Sequence, residues 1–281
     1  MIRLLAILVC LVLVSRAAET PAVLRVVTWN LKWFPGGRLG ASKEQQDRHI
    51  AEVRREIGKL KADILILQEV GSAEALEETL KPLGPDWRVA IVSRFKQGNF
   101  LSGQQVAIAA RIPAEAVWSE PWARGWAGPP RGFAQATFNF RGKRLGVYGI
   151  HLKSNLGDPA ENTSKREDAI GQLIAHINTG KERMPTPDAV IIGGDFNTDD
   201  PDTPAGQSPG ERTFSMLRKA GFHWSFEGIA HKDRITCPGS GRYPDACFDY
   251  FFSRGLGKPM SSVAKAEGSD HLPVVMDITI R

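Results

Sequence analysis

Four consecutive aliphatic residues at 64–67 are followed directly by Gln68 and Glu69. A strand whose side chains are apolar on both faces has to be covered on both faces, so this run predicts a central strand inside a layered fold. A second apolar run over 189–194 also stops at a polar residue, Asp195. The chain therefore has to bury at least one sheet between other layers, with polar side chains at the strand ends.

The remaining hydrophobic patterns alternate between strands and helices along the chain. Apolar residues recur every three or four positions over 44–61 and over 165–178, and each spacing predicts an amphipathic helix. Ser164 and Glu167 have the spacing of a capping box, which predicts that the second helix begins beside them. Residues 199–210 contain three prolines and two glycines and predict a loop. The predicted strands lie at 24–31, 63–70, 87–93, 104–112, 132–140, 144–152, 189–194, 248–253 and 272–280.

Some of these strands are apolar on one face and others on both, which is the pattern of two packed mixed sheets flanked by helices. We therefore predict an α/β (α+β) fold. No linker is long or polar enough to divide the chain, so residues 18–281 are predicted to form a single domain. The composition, with 42% hydrophobic and 24% charged residues, is that of a globular protein and excludes a disordered, collagenous or coiled-coil chain.

The first 17 residues differ in character from the rest. A short basic start is followed by an apolar run at 4–14 and by small residues near position 17, which is the pattern of a secretory signal peptide. The apolar run is too short to span a bilayer comfortably, so no stable membrane association is expected after cleavage, with an uncleaved anchor as the alternative. We expect a secreted or periplasmic protein that is a monomer.

Cys237 and Cys247 remain once the signal peptide is removed. An even number of cysteines in an exported chain favours one disulfide, and two free buried thiols are the alternative. A disulfide here would close a short loop that leads directly to Asp249. It would then fix one wall of the cleft that the next observations predict.

Polar side chains recur where the predicted apolar strands end. A carboxylate or amide at such a position is costly to bury without a partner, and six such segments in one chain need a shared explanation. The simplest explanation is a polar cleft at one edge of the sheets, where loops meet. The six segments are 27–30, 67–69, 149–151, 193–197, 248–250 and 269–271.

The residues in these segments narrow the chemistry that such a cleft can perform. Carboxylates and amides are abundant, and these hard oxygen donors suit Mg²⁺ or Mn²⁺ better than a closed zinc site. The sequence has no His-Glu-x-x-His, P-loop or Gly-x-Ser-x-Gly motif. An aspartate next to a histidine near the C-terminus, with carboxylates upstream, is compatible with metal-assisted hydrolysis. The net charge of +5 favours an anionic substrate.

The ordered set of motifs resembles the endonuclease/exonuclease/phosphatase superfamily. Gly-Asp-Phe-Asn at 194–197 and Ser-Asp-His at 269–271 carry the resemblance, together with Asn30 and Glu69 upstream. The superfamily includes deoxyribonuclease I, abasic-site endonucleases, bacterial sphingomyelinases and inositol-phosphate 5-phosphatases, and the similarity extends over about 24–280. It implies a four-layer α/β/β/α sandwich of the deoxyribonuclease I type, with the active site at one end of the two sheets.

The resemblance also implies roles for individual residues. Glu69 looks like the main ligand of Mg²⁺ or Mn²⁺, with Asn30 and Asp270 as further ligands and Ca²⁺ as an alternative ion. Asp195 is similar to the residue that positions or deprotonates the attacking water. Asn197 is similar to a residue that binds a phosphate oxygen or that water.

The remaining motif residues take supporting roles from the same resemblance. Asp270 is expected to orient His271, which contacts the phosphate or shuttles a proton. Asp249 matches a supporting carboxylate, and His151 is expected to protonate the leaving oxygen. One position departs from the pattern of abasic-site enzymes, because Lys32 stands where those enzymes have an acidic residue. This departure removes one metal ligand and counts against abasic-site repair.

Three residues after the His151 motif have two open interpretations. Lys153 and Asn155 either contact the substrate or lie on a solvated loop. Arg166 either binds a phosphate or is a charge on the surface of its helix.

Two further groups of residues are open in the same way. Aromatic and basic residues interleave in the region that follows residue 117, and they can stack on bases or pack together, of which we favour packing. These residues are Trp118, Trp122, Trp126, Arg124 and Arg131. Asp199 begins an acidic run that either holds Ca²⁺ or is solvated, and we favour a solvated loop because the EF-hand pattern is absent.

The function that these features favour is a secreted, metal-dependent phosphodiesterase. The leading hypothesis is a nuclease that hydrolyses DNA, RNA or both by metal-assisted attack of water on phosphate. The alternatives are a phosphatase or sphingomyelinase-like phosphodiesterase of the same fold, and an inactive binding module. The sequence shows no extended apolar hairpin for entry into lipid, and the complete set of motif residues counts against the binding module.

Overall fold

The computed structural model describes residues 22–180, 184–199, 210–241 and 243–280. The predicted signal peptide and most of the predicted loop at 199–210 lie outside these residues. The described part contains the helices α1 (Lys43–Leu60), α2 (Ala73–Leu80), α3 (Pro159–Thr179) and α4 (Thr213–Lys219). Its strands are β1 (Ala22–Phe34), β2 (Ile64–Val70), β3 (Arg88–Val92), β4 (Lys96–Gln97), β5 (Phe100–Leu101), β6 (Gln105–Ala110), β7 (Ala114–Pro121), β8 (Gly132–Phe140), β9 (Lys143–His151), β10 (Ala189–Asp195), β11 (His223–Trp224), β12 (Asp249–Arg254), β13 (Ser261–Val263) and β14 (Val274–Ile280).

The described strands form two six-stranded sheets and one short hairpin. The sheets have the orders β13-β14-β1-β2-β6-β3 and β11-β12-β10-β9-β8-β7, and β4 pairs with β5. In the first sheet β1 is parallel to β2, with Asn30 opposite Gln68. In the second sheet β10 is parallel to β9, with Asp195 opposite His151. Parallel neighbours end at the same edge of a sheet, so each pair brings polar side chains to one edge.

Two buried hydrophobic clusters define the layers. The larger cluster lies between the two sheets and extends to α3 and α4, through residues such as Leu173 and Leu217. The smaller cluster packs α1 and α2 against the outer face of the first sheet, through residues such as Val53 and Leu76. Residues 64–67 contribute alternately to the two clusters, which explains why all four are apolar. The predicted four-layer sandwich of two mixed sheets between helices is confirmed.

The two long helices that the sequence predicts are both present. α1 begins after Ser42, close to the predicted start. The prediction that α3 begins beside Ser164 is wrong, because the side chain of Asp158 caps the helix and accepts a hydrogen bond from the backbone N–H of Glu161 at 2.8 Å. Pro159 follows in the first turn, where the fixed φ of proline suits a helix and no amide hydrogen is needed.

Three shorter elements have no clear signature in the sequence. α2 and α4 have eight and seven residues, which is too few for a repeating apolar spacing to stand out. β7 is an edge strand whose side chains are largely half-exposed, and it ends at Pro121, which lacks the amide hydrogen of an inner strand. Among the described residues, no helix combines the length and the apolar character needed to cross a membrane.

The predicted disulfide is not formed, since Cys237 and Cys247 are both free. Cys237 lies opposite Ala246 in a short antiparallel bridge, so the next residue, Cys247, projects from the other face. The side chain of Cys247 is buried in the core, whereas Cys237 is partly exposed. The register of this bridge therefore keeps the two sulfur atoms apart.

Candidate active site

The polar ends of the central strands come together where the two sheets meet. Nδ2 of Asn30, from the first sheet, donates a hydrogen bond to Oδ2 of Asp195, from the second sheet, at 2.9 Å. Asp249 lies opposite Asp195 on the neighbouring strand and contacts His271. Asn30, Asp195 and Asp249 are all buried. Side chains from distant parts of the sequence thus form one polar cluster at the edge that the strand ends predict.

Glu69 stands beside Asn30 at the end of β2. Its Oε1 lies 3.4 Å from Nδ2 of Asn30, and its Oε2 accepts a hydrogen bond from the backbone N–H of Trp33 at 2.8 Å. Glu69 has a φ of 60°, and Lys32 and Trp33 each have a φ of 49°. Residues with long side chains rarely adopt this left-handed region, and such strain is concentrated at functional sites.

Asp195 is a buried carboxyl next to a second one, Asp249. Burial, and then the negative charge of Asp249, raise the pKa of Asp195 to about 7, against the opposing effects of His271 and of the hydrogen bond from Asn30. The backbone N–H of Asn197 also donates to Oδ1 of Asp195, at 2.9 Å. A carboxyl whose pKa is near neutrality is suited to accept and release a proton at physiological pH.

The carboxylate that holds His271 is Asp249, because Oδ2 of Asp249 lies 2.7 Å from Nδ1 of His271. Burial acts to lower the pKa of His271, but the charge of Asp249 and the hydrogen bond with it outweigh burial, so the pKa lies well above its usual value. The protonated ring can stabilise negative charge on a phosphate oxygen. The prediction that Asp270 orients His271 is wrong, since β12 delivers Asp249 to the ring instead.

Asp270 lies at the rim of the site and faces Lys32. Its Oδ2 is 3.1 Å from Nζ of Lys32, and both side chains are about half exposed. The segment is anchored by Ser269, whose hydroxyl donates a hydrogen bond to the carbonyl of Asn30 at 2.7 Å. The predicted role of Asp270 as a metal ligand would require the carboxylate to exchange this ammonium group for the ion, which an exposed pair permits at little cost.

His151 is buried on β9, next to Asp195. Its Nε2 lies 3.5 Å from Oδ2 of Asp195, and its Nδ1 has no hydrogen-bond partner within the described structure. Burial, together with the positive charges of Arg131 and His271, lowers the pKa of His151 well below its usual value. The ring is therefore neutral, in contrast to His271. This charge state disfavours the predicted role of His151 as the donor of a proton to the leaving oxygen.

The turn that follows β10 requires the residues of the Gly-Asp-Phe-Asn motif. A side-chain carbon at Gly194 would lie 2.0 Å from the carbonyl oxygen of Ile150, so only glycine fits between the two parallel strands. Asn197 has a φ of 52°, which asparagine tolerates better than most residues. Its Nδ2 donates to the carbonyl of Leu152 at 3.2 Å. The motif thus positions Asn197 beside Asp195 for reasons of backbone geometry.

Arg131 belongs to the site, although the sequence leaves nucleic-acid contact and packing open for its region and favours packing. Its Nε donates to the carbonyl of His151 at 2.8 Å, its Nη1 to the side-chain oxygen of Gln104 at 2.9 Å, and its Nη2 to the carbonyl of Leu152. Burial lowers the pKa of Arg131 to about 10, and the charges of nearby carboxylates oppose that effect. The guanidinium remains protonated and ties three loops together behind the polar cluster.

Both interpretations of Arg166, as a phosphate contact and as a charge on the surface of its helix, are wrong, because this side chain is buried and fully paired. Its Nε and Nη2 bind the buried carboxylate of Glu211 at 2.9 and 2.6 Å. Its Nη1 binds the carbonyl of Lys153 at 3.1 Å and the side-chain oxygen of Asn155 at 2.9 Å. Nζ of Lys153 also donates to carbonyls of its own loop. Arg166 therefore holds the loop in which Lys153 and the exposed Asn155 lie.

Packing explains two of the three tryptophans near β7. Trp122 is buried in the core and Trp118 packs against it, whereas Trp126 is 69% exposed. The interpretation of Asp199 as solvated is wrong. Its carboxylate is buried and binds Nη1 of Arg234 at 2.6 Å, which accounts for its charge without a bound cation.

The oxygen donors of the cluster fit a hard divalent cation. Among the described residues, the ligand atoms of Asp195, Asp249 and His271 lie within 4.8 Å of one another. His271 is a poor ligand, because it is protonated and already bound to Asp249. Oδ1 of Asp249 is buried without a partner, and a cation would relieve the repulsion that raises the pKa of Asp195. Asp195 and Asp249 suit Mg²⁺ or Mn²⁺, and Glu69 is linked to Asp195 through Asn30, whose Nδ2 contacts both carboxylates.

Sequence comparison associates this arrangement with a family. The profile of the Endonuclease/Exonuclease/phosphatase family matches residues 27–271, which include the whole polar cluster. A comparison with curated proteins finds no match.

Solved structures extend the comparison to the fold. An endonuclease/exonuclease/phosphatase family protein from Leptotrichia buccalis has a TM-score of 0.63 and 19% identity, over 91% of this chain and 99% of that one. TDP2 from D. rerio, solved in complex with single strand DNA product, has a TM-score of 0.61 and 15% identity, over 92% of this chain and 100% of that one. Beta toxin from Staphylococcus aureus has a TM-score of 0.63 and 16% identity, over 90% of this chain and 99% of that one. At these identities the similarity establishes a shared fold.

Proposed function

Because the chain belongs to the endonuclease/exonuclease/phosphatase family, a family of metal-dependent phosphoric ester hydrolases, we propose that it hydrolyses phosphodiester bonds of nucleic acids. The observation that carries the proposal is the position of Asp195, which accepts a hydrogen bond from Asn30 and lies opposite Asp249, the partner of His271. The proposal includes export through the N-terminal signal peptide and action as a monomer.

The side chains of the cluster supply a base and a cationic contact for phosphate. Asp195 accepts the proton of the attacking water, since hydrogen bonds from Asn30 and from the backbone N–H of Asn197 hold its carboxylate beside the Asp249–His271 pair. His271, held by Asp249, donates a hydrogen bond to a phosphate oxygen and stabilises its growing charge. Asn30 keeps Asp195 in place. When bound by Glu69 and its neighbours, Mg²⁺ or Mn²⁺ would neutralise charge on the phosphate.

Two observations support nucleic acid as the substrate. The chain has a net charge of +5, which favours a polyanion through electrostatic steering. The fold is shared with TDP2 from D. rerio, which was solved in complex with single strand DNA product.

A nicking assay with supercoiled plasmid tests this proposal. The purified protein, freed of metal with EDTA, should convert plasmid to the open circle only after Mg²⁺ or Mn²⁺ is added back. Asp195→Asn should lose at least about 100-fold of this activity, because the base is removed. Asp86→Asn is the control, since Asp86 is exposed and precedes the start of β3, which lies opposite Ala110 at the edge of the sheet away from Glu69. Activity that persists in Asp195→Asn would contradict the mechanism.

Parallel assays address the alternative substrates. Sphingomyelin vesicles and inositol phosphates should be hydrolysed far more slowly than plasmid or oligonucleotide. A reversal of this order would replace nucleic acid by a lipid or a small phosphoester as the substrate. The absence of any turnover, together with tight binding of DNA, would point to the binding module.

A further inference from the structure

Exposed apolar side chains are concentrated in the loops around the polar cluster. Phe100 is 80% exposed and Trp126 is 69% exposed, and the leucines Leu39, Leu101 and Leu156 are also more than half exposed. Phe100 and Leu101 form strand β5 of the small hairpin, which the sequence does not predict. Large aromatic side chains that face water in this way commonly mark a binding surface.

The loop that carries Phe100 is attached directly to the site. A side-chain carbon at Gly103 would lie 3.3 Å from the ring of Trp33, and one at Gly71, which follows β2 close to Glu69, would lie 3.4 Å from the carbonyl of Gly103. The same loop is held by the hydrogen bond from Arg131 to Gln104. Phe100 therefore extends from a loop that packs against the strand end bearing Glu69.

The loop that carries Trp126 lies next to the loop that carries Phe100, because both join strands at the same end of the two sheets, and a side-chain carbon at Gly132 would lie 2.7 Å from the ring of Phe95. It begins after β7 and ends at Arg131, which binds the carbonyl of His151. Its middle is fastened to α3, since the backbone N–H of Ala127 donates to Asp168 at 3.3 Å. Trp126 and Phe100 are thus exposed aromatic side chains on two separate loops, both fixed to the site by Arg131.

Both loops are positively charged. Residues 93–105 contain Arg94 and Lys96, residues 121–131 contain Arg124 and Arg131, and neither segment contains an aspartate or glutamate. Arg94, Lys96 and Arg124 are exposed. Exposed aromatic rings between cations are the arrangement that binds unpaired nucleotides, because rings stack on bases while cations contact the phosphates.

We infer that Phe100 and Trp126 are stacking positions for the bases of single-stranded nucleic acid on one side of the scissile phosphate. This inference rests on the proposed function and adds a preference for unpaired strands. Bases within a duplex are already stacked and offer no free ring face to these side chains. A bilayer fits the surface less well, because the two loops expose the cations Arg94, Lys96 and Arg124 together with the aromatic side chains, whereas insertion into a membrane requires a continuous apolar face.

The test measures binding and cleavage of an oligothymidylate of about twelve nucleotides, a length within the range of single-strand sites. Binding is followed by fluorescence anisotropy in EDTA, so that it does not depend on turnover. Phe100→Ala and Trp126→Ala should each weaken binding about 5- to 100-fold, which is the range for loss of one base stack. Val117→Ala removes an exposed apolar side chain from edge strand β7 and should leave binding unchanged.

Cleavage gives a second measure that separates this inference from the proposed function. With Mg²⁺ or Mn²⁺, the preference for oligothymidylate over bis(p-nitrophenyl) phosphate, which has no base, should fall by a similar factor in both aromatic variants. Unchanged oligonucleotide binding in both variants, or equal loss in Val117→Ala, would overturn the inference even if the protein cleaves DNA. If the two aromatic variants lost binding to vesicles of phosphatidylcholine and phosphatidylglycerol but kept oligonucleotide binding, the surface would be assigned to a membrane.

Discussion

Burial of Asp195 next to Asp249 sets the protonation chemistry of the site. A carboxyl that is removed from water and placed beside a second carboxyl holds its proton more tightly, and its pKa rises to about 7. The same surroundings raise the pKa of His271 through Asp249 and lower that of His151. The two histidines therefore carry different charges, because the charge of Asp249 and the hydrogen bond with it outweigh burial at His271, whereas burial dominates at His151.

The raised pKa of Asp195 has a cost in stability that depends on pH. Its pKa in the folded state exceeds that of an unfolded aspartate, so unfolding releases a proton and stability falls as pH rises from about 4 to about 7. Asp195→Asn removes this cost. Without metal, the variant should gain stability relative to wild type as pH rises through that window, by about 4 kcal/mol at most.

Urea unfolding of both proteins in EDTA at pH 5 and pH 8 measures this difference. Mg²⁺ at pH 8 should reduce the difference, because a bound cation stabilises the ionised carboxylate. A difference that is constant with pH would mean that Asp195 titrates normally in the folded protein.

At the scale of the secondary-structure elements, the position of the end of β9 depends on side chains from the loop before β8 and from α3. Arg131 precedes β8 and binds the carbonyls of His151 and Leu152, where β9 ends. Arg166 in α3 binds the loop that follows. The two arginines thus fix one strand end from two directions, with Glu211 neutralising the deeper one.

Arg131→Gln tests the contribution of this connection. The shorter neutral side chain leaves carbonyl groups of the strand end without a donor, so we expect about 2–4 kcal/mol lower stability and about 10- to 100-fold lower turnover. The positive charge of Arg131 also lowers the pKa of His151, so the pKa of His151 should rise in the variant. NMR titration of the histidines follows that change, which a loss of stability alone would not produce. Arg111→Gln, at an exposed position after β6, is the control.

At the scale of the whole molecule, glycines allow the two sheets to approach each other. A side-chain carbon at Gly149 would lie 2.7 Å from Val106 and 2.8 Å from Ile66, both on the opposite sheet. One at Gly193 would lie 2.9 Å from Ile66. The close approach continues toward the strand ends, where Asn30 reaches Asp195 across the sheets.

Gly149→Ala should therefore push the sheets apart. We expect a loss of about 1–3 kcal/mol in the free energy of unfolding, the usual range for overpacking a core, together with weaker activity. Gly257→Ala is a matched control, because no atom lies within 4 Å of a side-chain carbon there and its φ is ordinary. Equal stability of the two variants in urea unfolding would show that the interface has room for a methyl group.

The layers of the fold and the position of the site can be inferred from local patterns in the sequence. Residues 64–67 are all aliphatic because they contribute alternately to the two buried clusters. The polar residues that follow each strand indicate the edge of the sheets where the site lies. Local patterns report burial and turns, because both depend on neighbours in the chain. The family motifs added the identity of Asn30, Glu69 and Asp195.

The pairing of these side chains, in contrast, depends on how distant segments pack in the folded protein. Asp249 rather than Asp270 holds His271, and Arg166 is a buried support. Cys237 and Cys247 stay apart although their spacing permits a bridge. Each outcome depends on the direction in which a side chain projects from its strand or helix, and on which side chain of a distant segment packs against it. That information is absent from spacing along one chain, because contacts between distant segments are set by the packing of whole sheets.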